Sequence, residues 1–258
     1  MYGICNLSIV PCRAEASDRS EMVTQLLFGE HFEIIEVQKK WVKIRIAYDN
    51  YECWIDPKQL QIISEETYKE LQTSALHITT DLVQVVMSKE NDQVFPIVIG
   101  SILPYFDAEV CNLEGHEYAF EGTSVLPSQV SDKNKIIEFA YSYLNSPYLW
   151  GGRSPFGIDC SGFTQIVYKL AGEKLPRDAY QQAELGQTLS FIEEAEPGDL
   201  AFFDNEEGRI IHVGIILEEN QIIHASGKVR IDTIDHYGIY NKELKKYSHN
   251  LRLLKKIL

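Results

Sequence analysis

The chain has 258 residues, 45% of them hydrophobic and 24% charged, which is enough apolar material for a packed core and rules out a disordered or collagen-like chain. Lys and Arg number 24 against 38 Asp and Glu, a formal net charge of −14, so nucleic acid and anionic lipid are not expected partners. No apolar run reaches the roughly 20 residues of a membrane-spanning helix and no secretory segment opens the chain, from which we expect a cytoplasmic protein.

Up to about residue 63 the pattern is short β-type runs broken by turns, at 7–10, 22–27, 32–37, 41–47 and 51–55. Strands this short and close predict a small barrel or sandwich. The polar stretch 64–74 reads as a short helix or a connector and marks a boundary. Strand patterns resume from about 76 to 126 with Pro and Gly punctuation, a second small β unit. Near residue 130 the texture changes. Ser131 or Asp132 can cap a helix whose apolar positions Ile136, Ile137, Ala140, Tyr143 and Leu144 recur at helical spacing. A second helix spans 160–171, with Phe163, Ile166, Val167 and Leu170 on one face and Gly172 as a stop signal. Three consecutive strands follow at 197–204, 209–217 and 221–226, expected as an antiparallel sheet facing that helix.

The five cysteines, Cys5, Cys12, Cys53, Cys111 and Cys160, are odd in number and scattered, without CxxC or zinc spacing, so neither a disulfide framework nor a zinc site is expected. Cys160 differs from the rest in its setting. The segment YLWGGRSPFGIDCSG (148–162) concentrates glycine and proline before a helix and delivers Cys160 to the first turn. Unpaired N–H groups and the helix dipole there favour a thiolate, so its pKa is expected to be lowered. We read the other four as buried structural cysteines. His212, inside an apolar strand, is the candidate base. His224 ends the next strand, and a hairpin through 218–221 sets it beside His212, able to fix that ring's tautomer.

In order along the chain, PYLWGG (147–152), GIDCSGF (157–163), LPRDAYQQ (175–182), PGDLAFF (197–203), HVGI (212–215) and HAS (224–226) resemble the NlpC-type cell-wall cysteine peptidases. The resemblance spans roughly 130–258 and implies an α+β, papain-like domain with a Cys160, His212 and His224 triad. It further implies hydrolysis of the γ-D-glutamyl bond to the diamino acid, lysine or meso-diaminopimelate, of peptidoglycan stem peptides, with neither metal nor organic cofactor. Tyr148, Asp159 and Ser161 then line the pocket, the tyrosine hydroxyl near the oxyanion. Each also has a local reading, as packing or helix capping. Arg177 and Asp178 are further substrate-binding candidates, explained nearly as well by a surface ion pair.

The N-terminal half resembles two bacterial SH3-like barrels, the first carried by VPCRAEASDRSEMVTQLLFGE (10–30), WVKIRI (41–46) and NYECWI (50–55), the second matching more weakly. The expected layout is 1–63, 75–127 and 130–258. In the recycling branch of that family the first barrel closes the active site and an acidic residue binds the free amine of L-alanine; Glu21, with Tyr51 beside it, is the candidate here. That arrangement implies a dipeptidyl-peptidase releasing L-Ala-γ-D-Glu. The competing readings are an endopeptidase or amidase on polymeric wall, a catalytically silent wall-peptide-binding protein and a thiol acyltransferase.

Overall fold

Alternating burial builds the N-terminal sheet: Val10 and Cys12 in Ile9–Arg13, and Val42, Ile44 and Ile46 in Val42–Ile46, enter one core while their neighbours are half exposed. The computed structural model describes residues 1–127 and 132–258. Seven antiparallel strands make this sheet, in the order Met22–Leu27, Ile9–Arg13, Glu52–Ile55, Val42–Ile46, His31–Val37, Tyr2–Ile4 and Gln61–Ile63. The first and last of these in the sequence, three residues each, were not expected. They are too short for a period to register, and Tyr2–Ile4 gains its place by pairing with both His31–Val37 and Gln61–Ile63.

The polar connector forms helix α1, Glu65–Thr73, capped by Ser64, whose hydroxyl accepts the Thr67 N–H at 3.0 Å. A four-stranded and a three-stranded sheet then fill 77–125 around the core of Val86, Ile97, Leu103, Cys111 and Phe120.

Helix α2, Lys133–Ser142, starts at Asp132, whose carboxylate accepts the Asn134 N–H at 2.9 Å; the alternative cap, Ser131, lies outside the described residues. The expected apolar face needs one correction. The helix ends at Ser142, so Tyr143 is buried as its C-cap, Leu144 is exposed, and Phe139 joins Ile136 and Ala140 in the core. Helix α3, Cys160–Leu170, is buried at all eleven positions and not along one stripe. Its apolar side meets Phe202, Val213 and Ile215, while its polar side is covered by the N-terminal sheet, where Gln165 bonds Asp49 at 2.9 Å and Lys169 bonds Glu30 at 2.7 Å.

The three expected strands belong to a larger closed structure. Leu200–Asp204, Ile210–Leu217 and Gln221–Ser226 continue into Lys228–Asp235, Gly238–Asn241 and Lys246–Lys256, and the last pairs back with the first. The ring closes as a six-stranded antiparallel barrel, with Gln187–Leu189 added on the outside. Alternation divides its residues: Leu200, Phe202, Val213 and Ile215 pack on the helices, and Ala201, Phe203, Ile216, Ile222, Ile239 and Leu254 fill the barrel. Among the described residues no helix is long and apolar enough to cross a membrane.

Candidate active site

The loop ahead of α3 is shaped by its contact with the N-terminal sheet. Gly151 has a φ of +75°, and a Cβ there would lie 2.2 Å from the Met22 carbonyl oxygen, so only glycine lets the two backbones meet. Asp159 caps α3, accepting the Gly162 N–H at 2.7 Å, and also accepts the Gly151 N–H at 2.8 Å. Capping and pocket-lining are therefore both true of Asp159, and its carboxylate is already committed.

Arg177 is what commits it. The guanidinium grips Asp159 as a fork, Nη2 to Oδ2 at 2.6 Å and Nη1 to Oδ1 at 3.0 Å, and reaches Ser161 Oγ at 2.9 Å and Thr24 Oγ1 at 3.0 Å. With 1% of its surface exposed, Arg177 is no surface ion-pair partner of Asp178; it fixes both neighbours of Cys160 and ties them to the N-terminal sheet. Arg153, in the same loop, is likewise 1% exposed and pairs with Glu30 through Nη1 to Oε2 at 2.8 Å and Nη2 to Oε1 at 2.9 Å.

A cleft of about 530 Å³ opens over Cys160. Glu21, Tyr51, Asp159, Ser161 and Asp178, all singled out in the sequence, line it together with Cys160. Trp150, Tyr180 and Ile211 line it as well and were missed, although Trp150 sits in the PYLWGG block, where a large aromatic in a glycine loop is itself a signal. Trp150 Nε1 donates to Glu21 Oε1 at 2.5 Å, so the carboxylate of the N-terminal sheet hangs over the cleft with one oxygen held. Tyr148 packs at the edge of the helix core, near enough that Cys160 and Asp159 both push its hydroxyl pKa up, after burial.

The expected low thiol pKa is not found. Burial pushes the Cys160 thiol up to about 12, and the Asp159 carboxylate adds to this, while backbone N–H groups of Val213 and Ser161 and the Arg177 charge work against it with smaller effect. The Val213 contact sets Cys160 beside the residue that follows His212. Burial, with His224 and His249 adjacent, also holds His212 well below the usual imidazole range. Both shifts favour the uncharged forms, a thiol on Cys160 and a neutral imidazole on His212.

Register pairs Gly214 with His224, and the hairpin brings His212 Nε2 to 2.8 Å from His224 Nδ1. His249, which the sequence reading missed, stacks on His212 with centroids 4.1 Å apart and planes 22° apart. Ring nitrogens of the three histidines come within 4.8 Å of one another. The stacked rings hold the in-plane lone pairs of His212 and His249 on separate levels, a poor arrangement for converging on one ion.

A helix with a cysteine at its first turn laid on a closed antiparallel barrel, with a histidine pair on adjacent strands, fits the papain-like class of cysteine hydrolases. Residues 145–248 match the model of the NlpC/P60 family, and 12–60 match that of the bacterial dipeptidyl-peptidase Sh3 domain. The γ-D-glutamyl-L-lysine dipeptidyl-peptidase of Bacillus subtilis is 30% identical over 239 residues, covering 86% of this chain and 78% of that one. Dipeptidyl-peptidase 6 of Lysinibacillus sphaericus is 26% identical over 255 residues, covering 90% and 91%. The crystal structure of an NlpC/P60 family protein from Bacillus cereus superposes over the full length of both chains with a TM-score of 0.84 at 19% identity, a shared fold. The chain belongs to the NlpC/P60 family of cysteine peptidases.

Proposed function

We propose that this peptidase hydrolyses the γ-D-glutamyl bond to the diamino acid of peptidoglycan stem peptides, releasing L-Ala-γ-D-Glu from peptides with a free N-terminal L-alanine. The observation that carries the reading is Glu21, projected from the N-terminal sheet into the same cleft as Cys160 with one carboxylate oxygen uncommitted. An ammonium taken out of water needs an opposite charge close by, and Glu21 supplies it. Tyr51 and Asp178 wall the same end, and the printed names of the relatives from B. subtilis and L. sphaericus support a dipeptidyl-peptidase. We assign three units, 1–63, 75–127 and 130–258, the first acting as the closing wall; residues 130 and 131 lie outside the described residues.

In this scheme His212 takes the Cys160 proton as sulfur attacks the γ-carbonyl. The N–H of Cys160, which has no partner within its helix, and the Tyr148 hydroxyl receive the oxyanion. His212 then donates to the leaving amine, and water activated by the same ring releases the acyl group. His224 orients His212, and Arg177, Asp159 and Ser161 hold the nucleophile's backbone in place. An enzyme that accepts sugar-free fragments belongs in the cytoplasm, and no cofactor enters the scheme.

Mass spectrometry of L-Ala-γ-D-Glu-L-Lys and its diaminopimelate analogue, beside their N-acetylated forms, tests the reading. Cleavage confined to the free-amine peptides is expected. Equal cleavage of the acetylated forms points instead to an endopeptidase. In Glu21→Gln, loss of one charge-assisted contact is expected to raise KM for the free-amine peptide about 10- to 100-fold while kcat changes little. A KM within about twofold of the wild type removes the amine-binding role.

A further inference from the structure

The hydrogen-bonded chain does not stop at His224. Its Nε2 lies 3.1 Å from Asp232 Oδ2, and Arg230 grips the same carboxylate, Nε to Oδ2 at 2.7 Å and Nη2 to Oδ1 at 3.0 Å. Asp232 stands on Lys228–Asp235, the strand paired with that of His224, and is 6% exposed. Nothing in the scheme above uses it.

We propose that Asp232 is a positioning residue for the peptidase reaction: by accepting the His224 Nε2 hydrogen it selects, through two rings, the His212 tautomer whose Nδ1 is free to take the Cys160 proton. This rests on the reading of Cys160, His212 and His224 as the reacting set.

The argument is one of donors and acceptors. An ionised carboxylate only accepts, and the guanidinium that holds it only donates, so His224 Nε2 must carry hydrogen. A neutral imidazole has one N–H, which leaves His224 Nδ1 as an acceptor. The group facing it at 2.8 Å, His212 Nε2, is then the donor. His212 Nδ1 is left with its lone pair, the ring nitrogen of the hydrogen-bonded pair that is free to act as a base. The reverse arrangement sets a bare His224 Nε2 against a carboxylate oxygen at 3.1 Å, lone pair to lone pair. Protonation states agree with the geometry. Burial holds His224 below the usual imidazole range, and although burial opposes ionisation of Asp232, the bonds from His224 and Arg230 outweigh it and keep the carboxyl low.

Replacing a carboxylate that touches a catalytic histidine by its amide costs about 10⁴ in kcat in serine peptidases, because the wrong tautomer is stabilised. With one imidazole interposed, Asp232→Asn is expected to lower kcat about 100-fold and leave KM within about threefold, and Asp232→Glu to recover about tenfold. A purely structural role would lower the melting temperature without changing the ring tautomers. The decisive readout is therefore ¹⁵N NMR of the histidine rings in the full-length protein. Wild type is expected to show hydrogen on Nε2 of both His212 and His224, and Asp232→Asn to show hydrogen on His212 Nδ1. Wild-type His224 protonated on Nδ1 overturns the proposal even if the variant fails to fold, as does an Asp232→Asn kcat within about threefold of wild type. Cys160→Ala or His212→Ala retaining activity would instead overturn the underlying catalytic reading.

Discussion

Cys160→Ala is expected to reduce hydrolysis of L-Ala-γ-D-Glu-L-Lys by about 10⁵-fold or more, with His212→Ala close behind and His224→Ala losing about 10² to 10⁴. The order follows from what each group touches. In the proposed scheme sulfur forms the bond, His212 moves the proton in both half-reactions, and His224 acts only through the 2.8 Å bond to His212. Because the three work as a unit, Cys160→Ala/His212→Ala should be no worse than Cys160→Ala alone, a non-additivity that a set of independent contacts would not show. Stability should change far less than activity. Cys160 and His212 are both buried and neutral, so removing either creates a small cavity without leaving an unpaired charge, and the variants should fold. Their folded state, checked by thermal melting beside the single-turnover rate, separates lost chemistry from lost structure. Equal residual activity in all three variants would break the division of roles.

Much of this site was readable because its chemistry lies in local patterns. A glycine-rich loop delivering a cysteine to a helix start, and two histidines twelve positions apart across a short hairpin, are features a few residues carry by themselves. What escaped was carried by distance in the sequence. Arg153 and Glu30 are 123 residues apart, and Arg177 meets Thr24 across 153. No periodicity announces such pairs. The apolar face expected for α3, Phe163, Ile166, Val167 and Leu170, is buried as a set, but nothing local shows that Gln165 and Lys169 are buried too, against Asp49 and Glu30 of the N-terminal half. Asp232 and His249 were lost because the last three barrel strands are polar along much of their length, with a weak inward stripe, so their register was not assigned. The thiol pKa erred through an omission of cost. The helix dipole and N–H groups were counted, but the desolvation of a buried helix start and the adjacent Asp159 carboxylate were not.

That covering predicts the largest stability effect in the molecule. Glu30 is fully buried and meets three donors from outside its own sheet: Arg153 twice, and Lys169, which also bonds the Gly100 carbonyl at 2.8 Å. Burial opposes ionisation of Glu30, but the two cations overcome it and hold the carboxyl at about 2. Glu30→Gln leaves two buried cations facing an amide, and breaking a buried pair in this way typically costs about 3–5 kcal/mol. The two cations respond differently. Lys169, whose pKa is already lowered by burial, can shed its proton, whereas Arg153 cannot. In the variant the unfolded chain therefore binds more protons than the folded one over the range where Lys169 is neutral only when folded. Stability must rise with pH there, and more steeply than in wild type. In wild type the Glu30 contribution is complete above the ordinary carboxyl pKa near 4.5 and is lost as pH falls toward 2, so acid unfolding of the wild type should concentrate in that window and that of the variant should not. Urea unfolding across pH 3 to 9 tests all of this, and matching pH profiles for the two proteins would refute it. Function gives a second check. The same network presses the N-terminal sheet onto the Gly151 loop, so well below its melting temperature Glu30→Gln should still raise KM for the free-amine peptide, because loosening that seat withdraws Glu21 from the cleft.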